Sequence, residues 1–335
     1  MSETINQGVQ PEIPKPKRKK KNRYLLHLGL FLITFITTTF AGVLWTTNSA
    51  GPYELNMLLT GLPYSISIMM IISFHEFGHY FAAKYHRVDA TLPFYIPLPP
   101  IPYFINFGTM GAVIKTRSRI YSRKAMFDIG VAGPIAGFVI CLIILIYGFT
   151  HVPDIQYLLN IHPDYLQPDY GHGGMSLVFG DSILFASLKW IFVDHSKFFP
   201  PMSEIYHYPF LCVGWFGLFI TSMNMIPVGQ LDGGHISYTM FGAERSYKIS
   251  AISFIFLFVF GVVGLADALL ELGWNVGWGG WLFWALILYF IIKLKHPPVP
   301  DPVPLGKNRR IIGYISFVIF IISFSPMPIM LTISG

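Results

Sequence analysis

The sequence predicts an all-α polytopic membrane protein of about seven transmembrane helices, with a small membrane-associated β-sheet or hairpin near residues 88–120. Three observations support this. The 335-residue chain is 53% apolar and only 12% charged, about half the charge of an ordinary soluble domain, with a mean hydropathy of +0.54. Apolar runs long enough to enter a bilayer recur along it. Between the second and third runs, prolines at 93, 97, 99, 100 and 102 forbid helix, and Met110 to Thr116 has the β-branched character of a short strand.

The elements follow in order. Residues 1–22 read as a disordered basic cytoplasmic tail. The block KPKRKKKNR, 15–23, carries much of the net charge of +6 and directly precedes the first span. It is a topology signal that can touch anionic lipid, and not a nucleic-acid domain. No cleavable signal pattern precedes the first span, 24–46, which therefore reads as a retained anchor within a unit of residues 24–56. Residues 57–85 return inward and place His79, near Lys84, His86 and Arg87, toward the cytoplasmic side.

The strand within 88–120 is expected to lie against this second span, with its edge buried in protein or facing a cavity. Such an edge can pair with an extended peptide by strand addition; an inert re-entrant loop is the alternative. The third span, 124–150, begins with Asp128, read as a helix-start or interfacial carboxylate. It also contains AGPIAG, 132–137, whose Gly133 and Gly137 have the spacing that lets two membrane helices approach closely.

Residues 151–207 are polar and irregular, with histidines at 151, 162, 172, 195 and 207. On this topology they lie across the bilayer from His79, so a metal site shared with it is not expected. A weaker apolar segment, Ser176 to Val193, is expected to dip into the membrane or lie along it. The fourth span is 208–226, and three more are read at 247–271, 280–293 and 311–333 within a C-terminal unit of residues 246–335. The linker at 293–310 is basic and proline-rich, hence cytoplasmic. Cys141 and Cys212 both sit in apolar runs and read as buried free thiols.

The chemistry concentrates in YSISIMMIISFHEFGHYFAA, residues 64–83. Ionisable groups are expensive in hydrocarbon and mark function there. One helical turn puts His75 and His79 on the same face, able to hold one metal ion, with Glu76 beside them as a general base for water. A second half-site follows the fourth span in NMIPVGQLDGGH, 224–235, where Asn224 and Pro227 break the helix at depth. Asp232 falls on the same side of the bilayer as His79. Three protein ligands with one position left open is the pattern of a catalytic zinc. His235 is the rival third ligand.

HEFGH in one span and NMIPVGQLDGGH after another resemble the site-2 protease family of intramembrane zinc metalloproteases (peptidase family M50), in the branch of bacteria and plastids that lacks a PDZ domain. The likeness runs from about residue 60 to 245 and also takes in GTMGAVIKTRS, 108–118, and AGPIAG. The resemblance implies that His75, His79 and Asp232 bind Zn2+ and that Glu76 is the base. It implies that Asn224 holds the substrate or the developing oxyanion, and that the strand containing Gly111, Ala112 and Val113 clamps an unwound substrate. The implied substrates are single-span membrane proteins, cut by a core of residues 57–245. The implied setting is a bacterial inner membrane, with the N-terminus and the active site toward the cytoplasm. A metal-holding membrane chaperone or scaffold and an ion transporter are the competing readings.

Overall fold

The computed structural model describes residues 23–47, 54–99, 106–171 and 174–333. The expected tail at 1–22 lies outside the described residues. Among the described residues, four helices are long and apolar enough to cross a membrane: α1 (Tyr24–Thr47), α2 (Leu55–Tyr85), α3 (Arg123–Thr150) and, further along, Ala243–Leu270. Helices α1, α2 and α3 pack together with the apolar helix Pro209–Met225. Their shared interior is aromatic and aliphatic, with Trp45, Tyr64, Ile68, Leu145 and Phe216 all buried. Several polar side chains inside it are paired locally, which lowers the cost of burying them where water is scarce. Thr38 of α1 meets Ser65 of α2, Oγ1 to Oγ at 2.7 Å, and also bonds the Thr34 carbonyl one turn back in its own helix.

The expected sheet is present. Strands β1 (Phe94–Pro97) and β2 (Thr109–Val113) pair antiparallel, with Phe94 opposite Val113 and Tyr95 opposite Ala112. The register then shifts, so that Pro97 faces Thr109. The extra residue lies at Met110–Gly111, and Gly111 has φ +90°. This is a bulge that glycine alone adopts without strain.

Beyond α3 the chain forms a layer of short elements: α4 (Ile155–Ile161), β3 (Met175–Phe179), α5 (Ile183–Phe192) and a 3-10 turn at Ile205–His207. Then come α6 (Pro209–Met225), α7 (Asp232–Phe241), α8 (Ala243–Leu270), α9 (Gly280–Ile287) extended by a π turn, α10 (Lys307–Ser323) and β4 (Ile329–Ile333).

One expectation is corrected here. Residues 311–333 are not one span: α10 stops at Ser323, and β4 pairs antiparallel with β3, from Met175 opposite Ile333 to Phe179 opposite Ile329. Pro326 and Pro328 account for the break, because proline can neither donate to a helix nor tolerate its preceding turn. The segment Ser176 to Val193 comprises most of β3 followed by α5, whose start Ser182 caps by accepting from the Phe185 N–H. In both segments apolarity was legible and the partner strand was not.

Candidate metal centre

The second half of α2 carries His75, Glu76 and His79, each 7% exposed. Asp232 opens α7, immediately after α6 ends at Met225 and the chain turns through Ile226 and Pro227. That turn brings the carboxylate back to α2. The Asp232 Oδ2 atom lies 3.3 Å from His75 Nε2 and 3.3 Å from His79 Nε2, and the two imidazole nitrogens are 3.1 Å apart. Ligand atoms about 2.0–2.1 Å from a tetrahedral zinc sit roughly 3.3 Å from one another, so the three donors already surround a point where one ion fits.

Neighbouring groups aim these donors. The His79 Nδ1–H donates to the Ile129 carbonyl at 2.7 Å, a bond that leaves Nε2 as the ligand lone pair. The side chain also needs space on α3. A Cβ added at Gly133 would run into the His79 ring, and one at Gly137 would press on His75 Cβ at 3.1 Å. The AGPIAG stretch is therefore the bed on which the two histidines lie, and its small residues serve the site as well as helix association.

Glu76 is oriented from the sheet. Its Oε2 accepts the backbone N–H of Ile114 at 2.9 Å, one residue beyond β2. All these groups open into a cavity of about 700 Å³, also lined by Ala112, Val113 and Asn224. Gly111 stands outside that lining, in the bulge just before Ala112 and Val113.

Two other sequence readings are resolved by position. His235 stands apart from the three converging donors: its Nδ1 pairs with His296 Nε2 at 2.7 Å, and Tyr238 stacks on His296. Asp128 also stands apart. It takes a bidentate hydrogen bond from Arg309, both contacts 2.8 Å, and a third from His86 Nε2 at 2.8 Å. This joins the end of α2 and the start of α10 to the start of α3.

Residues 63–265 match the model of Peptidase family M50. The chain belongs to this family. Among curated relatives, this M50 chain is 26% identical to the probable zinc metalloprotease EGY1, chloroplastic, of Oryza sativa subsp. japonica, over 95% of this chain and 53% of the relative. It is 24% identical to the corresponding EGY1 of Arabidopsis thaliana, over 95% and 56%. It is also 24% identical to the probable zinc metalloprotease EGY2, chloroplastic, of Oryza sativa subsp. indica, over 81% and 43%. The chain thus spans about half the length of the curated relatives it matches. A solved structure, the site-2 protease from Methanocaldococcus jannaschii, aligns over 82% of this chain and 91% of its own at 17% identity, with a TM-score of 0.30.

Sequence reading of this M50 chain missed the cavity wall formed by His296, Pro297, Pro298 and Val299. Those residues lie in the basic, proline-rich linker, where composition suggested a connector. The one available signal was a lone histidine in a segment otherwise rich in lysine and proline.

Proposed function

We propose that this M50 membrane protein is a zinc-dependent endopeptidase that cleaves membrane-anchored, single-span proteins in or near their transmembrane segments. The observation that carries the reading is the convergence of His75, His79 and Asp232 beside Glu76 in one cavity within an apolar helix bundle. The donor set, two imidazoles and a carboxylate with mutual separations near those of a tetrahedral site, fits zinc. Zinc held there supplies Lewis acidity, bringing the pKa of a water toward about 7 and polarising a peptide carbonyl.

The chain's own groups do the rest. Glu76, fixed at one oxygen by the Ile114 N–H, takes a proton from water and returns it to the leaving amine. Asn224, in the last turn of α6, offers its amide to the carbonyl oxygen as charge develops there. The edge of β2 that does not face β1 receives a locally unwound substrate as an added strand, so that its scissile bond lies between Ala112–Val113 and the ligands. The basic tail before α1 and the basic linker before α10 orient the cavity toward the cytoplasmic side or its organellar equivalent.

Proteoliposomes containing the full chain and a panel of tagged single-span proteins test this reading. We expect cleavage that a chelator stops and added zinc restores. Glu76→Gln is expected to lower the rate at least about 10²-fold, the contribution of a positioned general base, while zinc content stays unchanged. Cleavage at the unmodified rate by Glu76→Gln would refute the role given to that carboxylate.

A further inference from the structure

A second group of ligand-type side chains lies in the layer between α3 and α6. His162 follows α4, and Glu204 and His207 flank the 3-10 turn that leads into α6. The two imidazole Nε2 atoms are 2.9 Å apart, and the Glu204 Oε2 atom lies 3.6 Å from that of His207 and 3.8 Å from that of His162. These separations bracket the roughly 3.3 Å between ligands on a tetrahedral zinc. The first centre shows the same signature, two imidazole nitrogens drawn together with a carboxylate oxygen facing both.

Three features distinguish this cluster from an ordinary polar surface. Two of its three members are buried, His207 fully enclosed and Glu204 4% exposed, while His162 is half-buried. The Glu204 Oε2 atom, aimed at both rings, has no hydrogen-bond partner, although a buried carboxylate oxygen without one is costly. The other oxygen, Oε1, accepts from the Tyr170 hydroxyl at 3.2 Å. The His207 Nδ1–H donates to the Trp45 carbonyl at 2.9 Å, leaving Nε2 as the lone pair facing the cluster, just as Ile129 does for His79. A cation between these side chains would offset the cost of enclosing them without a counter-charge.

The geometry points to a second divalent-metal site, of the zinc class, formed by His162, Glu204 and His207. It is separate from the first centre: His207 precedes α6 and Asp232 follows it, and 17 helical residues span about 25 Å. The site joins α4, the approach to α6 and, through Trp45, the end of α1. Its role is to staple this layer to the helix bundle rather than to hydrolyse peptides.

Metal analysis of the full-length chain, purified in detergent and dialysed against metal-free buffer, tests the assignment. We expect two equivalents of zinc in the unmodified chain, one in His75→Ala/His79→Ala and one in His162→Ala. In the His75→Ala/His79→Ala protein, chelation is expected to lower the thermal midpoint and zinc to restore it. No metal in the folded His75→Ala/His79→Ala protein, or two equivalents retained by His162→Ala, overturns the proposal. Where either variant fails to fold, diethylpyrocarbonate labelling of the unmodified chain decides. Zinc is expected to shield His162 and chelation to expose it, and equal labelling in both states overturns the site.

Discussion

At the scale of single residues, the proposed metal centre depends on groups outside its ligand set. His79 is held by the Ile129 carbonyl on one side and by the missing side chain of Gly133 on the other. Gly133→Ala is therefore expected to displace the imidazole and to lower both zinc affinity and cleavage. A displacement near 1 Å costs about 10²-fold in rate. Gly137→Ala should be milder, because its added methyl meets His75 Cβ at 3.1 Å, a contact that a small shift relieves. Kinetics and metal content of the two variants, measured together, check the ranking. HEFGH and LDGG stood out in the sequence as candidate-site segments because their residue types are anomalous in apolar sequence. His296 and the group of His162, Glu204 and His207 were not, since in polar segments histidine carries no such contrast and the partners are far apart in the chain.

At the scale of elements, apolarity located the helices but did not separate helix from strand where runs are short. The segment at 311–333 shows this: its last residues, IMLTI, form β4 because β3 is there to pair with, and nothing local to the run reveals that partner. The β1–β2 pair was more legible, because prolines excluded helix and β-branched residues supplied the alternative. The Asp128, Arg309 and His86 cluster shows how elements distant in sequence are tied at one end of the bundle. Arg309→Ala is expected to lower stability by about 1–2 kcal/mol, between the worth of an exposed ion pair and that of charge-assisted hydrogen bonds. Arg309→Lys should recover only part of that, because an ammonium cannot donate the bidentate pair. Thermal unfolding in detergent checks both values.

At the scale of the whole molecule, two half-sites about 155 residues apart in sequence (His75 to Asp232) meet because α2 and α6 bring their functional ends to the same end of the bundle. The α6 turn then returns Asp232 to α2, and β2 closes the cavity over Glu76. Counting spans was enough to put the two half-sites at one depth; only the fold puts them in contact. The same arrangement sends His207 and Trp45 to the opposite end, where the second cluster gathers. The central claim is that His75, His79 and Asp232 hold one zinc ion beside Glu76. An anomalous difference map at the zinc edge, from crystals of the full-length chain grown with zinc, tests it most directly. The account predicts a peak about 2.0–2.2 Å from both Nε2 atoms and from an Asp232 carboxylate oxygen; a peak there without Asp232 in contact, or no peak between those histidines, would contradict it.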